Sequence, residues 1–249
     1  MMINIRCLHA NRTELEFHLA QRRPHVVLFQ ETWLNVSHEE ISLTEYRTIS
    51  RRDRKEEENR GGILTLARKD FNKIVHVENA ASEERSWHFL HLGPEVILLG
   101  NWYRPGSTIH DSFEGLNSDL QRLLPECTGI ILTGDLNIHH VRWLRYSNGN
   151  SQVGTDLRLI CENHDLQQLV SEPTRGQYLL DLYLTDIAGS TVTVGPKIAD
   201  HSMIIADIPL IEPQALEIRR KRFNIRRARC KELKKELGGD PNTCHKIFQ

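Results

Sequence analysis

The chain has 249 residues, of which 39% are hydrophobic and 26% charged, and its formal net charge is −1. That composition supplies a core for one large domain, or a domain with an appendage, and excludes global disorder. No apolar run approaches the ~18 residues a spanning helix requires, so a membrane partner is not expected.

The opening MMINIRCLHAN lacks a basic stretch followed by an apolar one, so no secretory signal is expected. Five scattered cysteines (Cys7, Cys127, Cys161, Cys230, Cys244) never form a C-x-x-C pair. Their odd number and spacing point to a reducing compartment, nuclear or cytoplasmic, without a disulfide framework or structural zinc site.

The charge is unevenly placed. Glu217–Lys235 carries ten Lys/Arg and two Glu, a local +8, which leaves −9 on the rest of the chain. Composition shifts near Pro209–Pro213, so a domain is expected over residues 1–211 and a basic linker or helix over 212–249. Ile225–Leu237 could form that helix, which Gly238–Gly239 would stop.

In chain order, Ile3–Leu8 is a short apolar run. Thr13-x-x-Glu16 reads as a capping box opening a helix, with Leu15, Leu19 and Phe17 as apolar positions. Val26–Phe29 reads as a buried strand, and Gly62–Ala67, Ile74–Val77, Trp87–Leu92 and Val96–Tyr103 as further strands. Ile109–Leu124 has Phe113, Leu116, Leu120, Leu123 and Leu124 at helical spacing. Gly129–Thr133 is a buried strand and Thr155–Asn163 a helix. Leu180–Leu184, Thr191–Val194 and Met203–Ile208 complete about ten strands. The class is α/β, two packed sheets flanked by helices.

Polar residues cluster at the ends of these apolar runs. Gln30-Glu31-Thr32 follows VVLF, Asn101-Trp102-Tyr103-Arg104 follows VILLG, and Asp135-Leu136-Asn137 follows IILTG. Asn4 lies in the first strand, and Asp200-His201 precedes the last. Rigidly held carboxylates beside Asn, Tyr and His are what metal-assisted hydrolysis requires. Glu31, with Asn4, offers hard oxygen ligands to Mg²⁺, with Mn²⁺ as a substitute. Asp135 is a candidate base or water-orienting group, Asn137 a neutral donor to phosphate, and His201 a donor to the developing phosphorane. Tyr103 and Arg104 add phosphate donors. Asp200 points to the other side of a regular strand from His201, so Asp181 is a second candidate for orienting that imidazole. Phosphodiester hydrolysis is the reaction class these residues favour.

Taken in order, these segments resemble the endonuclease domain of non-LTR (LINE-type, jockey/CR1-like) retrotransposons, within the endonuclease/exonuclease/phosphatase superfamily. INIRCLHAN resembles the opening strand, LFQETWL the Q-E-T motif, RGGILTLAR the glycine-rich strand and NWYRPG the tyrosine motif. GDLNIHHVRW resembles G-D-x-N with His-His-x-x-Trp, and ENHDLQQLVSEPTRGQYLLDLYLTD the PTRG…LDL segment. ADHSMI resembles S-D-H.

The resemblance implies a four-layer, DNase I-like α/β sandwich and a Mg²⁺-dependent endonuclease that nicks DNA and leaves a 3′-hydroxyl for an associated reverse transcriptase. It places Asn4 and Glu31 at the metal, Tyr103 and Asn137 at the phosphate, and Asp135 at the attacking water. Asp181 and Asp200 support His201 at the scissile phosphate, Thr174 contacts DNA, and Asn101 and Arg104 join the substrate set. The chain departs from the pattern at Ala199, where the family has Ser, which bears on efficiency more than on mechanism. A monomer acting on DNA is expected, with a reverse transcriptase region of a parent polyprotein as a further partner. No polymerase region follows Gln249, so an element fragment or domesticated product is expected. The alternatives are a superfamily phosphomonoesterase acting on inositol lipids or nucleotides, and a catalytically weakened nucleic-acid-binding protein.

Three other features have plainer readings. His139-His140 lacks a second ligand pair and reads as packing. Arg51–Lys55 followed by Glu56–Glu58 reads as a solvated loop. Trp33, Trp87, Trp102 and Trp143 read as core residues, with Trp143 also a candidate to stack on a base.

Overall fold

The computed structural model describes residues 1–37, 43–54, 60–81, 83–106 and 113–209. The basic run Glu217–Lys235, with the helix expected at its C-terminal half, lies outside them, as do Cys230 and Cys244. Cys7, Cys127 and Cys161 are free thiols. Among the described residues no helix is long and apolar enough to cross a membrane.

Among the described residues, twelve strands fall into two six-stranded sheets. The first runs β11(Thr191–Ile198), β12(His201–Asp207), β1(Met2–Asn4), β2(Val26–Gln30), β4(Ile63–Arg68), β3(Tyr46–Arg52). The second runs β5(Ile74–Asn79), β6(Glu84–Leu92), β7(Glu95–Tyr103), β8(Gly129–Asp135), β10(Asp181–Thr185), β9(Gln167–Gln168). The pairs β1–β2 and β7–β8 are parallel and the others antiparallel. Strands β1 and β2 pack against β7 and β8.

Alternation of apolar residues builds the layers, because successive strand side chains face opposite sides. Val27 and Phe29 join Ile3, Leu64 and Leu66 under α1(Arg12–Arg22), which buries Leu15 and Leu19 there. Met2, Leu28 and Ala67 point the other way, into the space shared with Leu90, Leu99 and Ile131 of the second sheet. Leu116 and Leu120 of α2(Glu114–Leu123), and Leu157 and Ile160 of α3(Gln152–Asn163), cover that sheet's far face. This is the expected four-layer α/β sandwich.

Several local expectations are corrected. Thr13 caps nothing: α1 starts one residue earlier, at Arg12, and Asn11 precedes it. Asn11 directs its amide instead to the carbonyls of Ile5, Arg6 and Cys7. Phe17 is exposed rather than packed. The described part of the second helix begins at Glu114; residues 107–112 of the expected span lie outside the described residues. Ser151 caps α3, accepting from the Gly154 N–H at 3.0 Å. Arg51 and Arg52 belong to β3 rather than to a solvated loop, and Arg51 forks onto Asp53 at 2.7–3.0 Å.

Gly134 shows why G-D needs its glycine. Its φ is +156°, and a Cβ there would sit 1.7 Å from the Trp102 carbonyl oxygen of the adjacent strand. Only a residue without a side chain lets β8 approach β7 so closely and deliver Asp135 at its end.

Candidate active site

The strand ends converge at one edge of the sandwich. Register places Tyr103 beside Asp135 on the parallel pair, Asp135 opposite Asp181 on the antiparallel pair, and Asn4 beside Gln30. His201 opens β12, which pairs with β1. Six of the predicted residues therefore meet from five strands and the turn after β2.

Asn4 is fully buried at the centre. Its Nδ2 donates to Glu31 Oε1 at 3.0 Å and to Asp135 Oδ2 at 2.8 Å, while its Oδ1 accepts from the Arg6 N–H at 3.2 Å. A carboxylate only accepts and an N–H only donates, so this orientation of the amide is forced. Asn4 therefore spaces two carboxylates and does not turn its oxygen toward them. Glu31 also accepts from the Tyr103 hydroxyl at 3.0 Å and from Trp33 Nε1 at 3.2 Å.

Glu31 and Trp33 have positive φ, 51° and 54°. Backbone bonds hold this left-handed turn: Thr32 and Trp33 donate to the Gly62 and Gly61 carbonyls at 3.2 and 2.9 Å. Glu84 accepts in turn from the Gly62 N–H at 3.1 Å and from Arg54 Nε at 2.6 Å. The Arg54 guanidinium lies 5.7 Å from the centre of the Tyr103 ring. The sequence reads Trp33 as core and Arg54 as part of a solvated loop, and it carries no signal for Glu84.

The buried trio Asp135, Asp181 and His201 forms the other half. His201 Nδ1 donates to Asp181 Oδ2 at 2.7 Å, so Asp181, not Asp200, orients the imidazole. His201 Nε2 lies 3.9 Å from Asp135 Oδ2, beyond hydrogen-bond reach. Burial opposes the imidazolium charge, but Asp181, Asp135 and Asp200 outweigh it and raise the His201 pKa to about 9. Burial, with Asp181 and Glu31 adding repulsion, pushes Asp135 up to about 7 against the opposing pull of His201 and Asn4. Burial and the adjacent Glu31 and Asp135 also raise the Tyr103 phenol, so it stays a donor.

Asp200 stands apart, half-buried, with its Oδ2 3.0 Å from Arg6 Nη1 and 2.7 Å from Arg175 Nη2. Burial would raise its pKa, but His201, Arg175 and Arg6 outweigh that and lower it. Asn137 has φ 49°, sits at the rim and donates to the Arg104 carbonyl at 2.9 Å.

Three residues of the expected substrate set are buried. Asn101 is fully buried between the sheets, accepting from Gln30 Nε2 at 2.6 Å and donating to the Phe29 and Leu64 carbonyls at 3.3 and 3.2 Å. It ties β7 to β2 and β4. Arg104 is 3% exposed and donates to the Leu136 carbonyl. Thr174 is 2% exposed, and its hydroxyl oxygen accepts the Leu180 and Asp181 N–H groups at 3.2 Å each. It sets the start of β10, and so the position of Asp181. His140 packs near Trp143, and the His139 ring stands edge-on to Tyr178. Trp87 and Trp102 are buried, whereas Trp33 and Trp143 are only partly so.

The donor set fits a divalent cation. Polar atoms of Asp135, Asp181 and His201 lie within 4.8 Å of one another, and the carboxylates supply the ligand oxygens, since the protonated imidazole only donates. Asp135 Oδ1, Asp181 Oδ1 and His201 Nε2 are buried without a hydrogen-bond partner among the described residues. Counted with Glu31, three carboxylates and one imidazolium leave two negative charges at a largely buried site, and such charge must be paired or neutralised.

Fold and site together define a chain with a DNase I-like α/β sandwich fold and a cluster of carboxylates and a histidine at one edge. Residues 97–205 match the family described as endonuclease-reverse transcriptase, a span that holds Tyr103, Asp135, Asn137, Asp181 and His201. Among solved structures, the chain is similar to the endonuclease domain of TRAS1, a telomere-specific non-LTR retrotransposon. Identity there is 16% and the TM-score 0.68, covering 84% of this chain and 96% of that one. It is similar also to an AP endonuclease from Leishmania major (17% identity, TM-score 0.68, 82% and 85% covered). A mannosyl-6-phosphatase from Bacteroides thetaiotaomicron shares the fold at 11% identity and TM-score 0.57, with 83% and 97% covered. No curated protein matches. The resemblance to a non-LTR retrotransposon endonuclease domain is thus borne out.

Proposed function

We propose that the chain is a Mg²⁺-dependent DNA endonuclease that hydrolyses one phosphodiester bond and leaves a 3′-hydroxyl. The observation that carries this reading is the chain of contacts Glu31–Asn4–Asp135 beside His201–Asp181, with unpartnered buried atoms on both carboxylates of the pair. Glu31 and Asp135 would hold the cation, with Asp181 close by. When bound, Mg²⁺ neutralises phosphate charge and stabilises the charge that builds on the leaving oxygen.

The chain's own groups supply the rest. Asp135 Oδ1, free of partners, accepts the proton of the attacking water. His201 is protonated, so Nε2 donates to a non-bridging phosphate oxygen as charge builds there. Asp181 fixes the tautomer and orientation of His201 through the 2.7 Å bond to Nδ1. The Tyr103 hydroxyl holds Glu31 in place, and Asn137 at the rim offers an uncharged donor to phosphate.

Supercoiled plasmid incubated with Mg²⁺, or with EDTA, beside the His201→Ala variant tests the reading. Mg²⁺-dependent open circles that disappear in the variant support it. No nicking at any protein concentration, or hydrolysis of a phosphomonoester alone, sinks it.

A further inference from the structure

Two arginines from distant segments meet on one carboxylate beside the site. Arg6 Nη1 and Arg175 Nη2 share Asp200 Oδ2 at 3.0 and 2.7 Å, and their side chains are 46% and 42% exposed. The cluster carries net +1 in a part of the chain whose overall charge is negative. Exposed ion pairs of this kind contribute about 0–1 kcal/mol to stability, so holding the fold together is a weak account of the pair.

Both arginines stand on fixed backbone. Arg6 and Cys7 occupy left-handed conformations, φ 39° and 77°, held by the Asn11 amide on the carbonyls of Ile5, Arg6 and Cys7. Arg175 and Tyr178 exchange backbone bonds at 3.0 and 2.9 Å across a tight turn. The neighbours of both belong to the reacting centre. The Arg6 N–H fixes the Asn4 amide, Thr174 before Arg175 fixes Asp181, and Asp200 precedes His201.

We propose that Arg6 and Arg175, aligned by Asp200, form a seat for a backbone phosphate of the DNA strand next to the one cleaved. Guanidinium forks match the paired oxygens of a phosphodiester, and forks pre-aligned on a carboxylate lose little freedom when that anion arrives. The seat lies on the His201 side and fixes the register of the strand while Asp135 and His201 act. It reads charge and spacing, not base sequence. The inference rests on the nuclease reading.

The test is binding of a fluorescein-labelled duplex of about 20 base pairs in EDTA, titrated across salt. Each neutralised phosphate contributes roughly 0.9 to the log–log salt slope. Arg6→Gln and Arg175→Gln should each lower the slope by a fraction of a unit, and the double variant, which loses the seat for that one phosphate, by about one. The double Arg→Lys variant keeps the charge and should keep the slope, which separates lost charge from disturbed folding. Glutamine variants with unchanged slopes, or a wild-type protein that binds no duplex, overturn the seat. If the wild type binds with these slopes yet never nicks, the seat stands and the nuclease reading fails.

Discussion

Replacing Asp135 with Asn removes a buried negative charge while keeping the shape and the acceptor for Asn4 Nδ2. In the metal-free protein the carboxyl is raised from 3.8 to about 7, chiefly by burial. That interval corresponds to a ceiling of about 4 kcal/mol of charge-burial cost above pH 7. The variant also removes one of the carboxylates that keep His201 protonated, which offsets part of the gain. A net stabilisation of about 2 kcal/mol is expected, or about 4–8 °C in Tm for a domain of this size.

The sign follows from the raised folded-state pKa. The favourable contribution of Asp135 is present in full below pH 3.8 and is lost as pH rises through about 7. The advantage of the variant should therefore vanish near pH 4 and be complete at pH 8. Thermal melts of both proteins in EDTA at the two pH values measure this. Adding Mg²⁺ at pH 8 should raise the wild-type Tm by more than that of the variant, which keeps Glu31 but loses one of the two carboxylates that would hold the cation. Nicking by the variant should fall by about 10²–10⁴-fold. A variant that melts below the wild type at pH 8, or a difference independent of pH, would refute the charge-burial reasoning.

Other outcomes follow from the same geometry. His201 donates only while protonated, so nicking should decline as pH rises through about 9, whereas a rate still climbing there contradicts the role. Asp181→Asn keeps an acceptor for Nδ1 but removes the charge that raises the His201 pKa, and should move that descending limb to lower pH in a rate–pH profile. Asn101→Ala should cost about 2–4 kcal/mol in urea unfolding, because the carbonyls of Phe29 and Leu64 and the amide of Gln30 lose their buried partner. If nicking by the folded variant collapses while stability is unchanged, Asn101 contacts substrate after all. Gly134→Ala sets a Cβ 1.7 Å from a backbone oxygen and should yield no soluble folded protein, or one destabilised by more than about 4 kcal/mol in the same unfolding assay.

The site was legible wherever a polar residue ended a run of buried apolar ones. Glu31, Tyr103 and Asp135 were found that way, because parallel neighbours must end together at one edge. What strand ends do not reveal is the side from which a residue faces. Asn101 lies two residues before Tyr103 on β7, and Arg104 follows it immediately, yet both turn into the protein. Their direction depends on how β7 packs against β2 and β4, which no local pattern encodes. Thr174 is expected at DNA through the family resemblance alone; its hydroxyl accepts from the start of β10.

The polar strand β3 was missed for a related reason. At the edge of its sheet, YRTISRR has no need of a buried apolar pattern, and its charged block read as loop. The capping box failed because Asn11, whose amide bonds the carbonyls of the turn at Arg6 and Cys7, takes the N-cap position two residues before Thr13. Asp200 and Asp181 were both open as partners of His201. Pairing of β10 with β8, separated by 46 residues in sequence at Asp135 and Asp181, selects Asp181.

Hydrolysis in ¹⁸O-labelled water tests the central claim most directly. A plasmid nicked by the wild-type protein with Mg²⁺ in that solvent should carry the label on the 5′-phosphate of the nick, with an unlabelled 3′-hydroxyl that a polymerase extends. Label on the 3′ side, or a terminus that extends only after phosphatase treatment, would contradict water attack at phosphorus with the 3′ oxygen leaving.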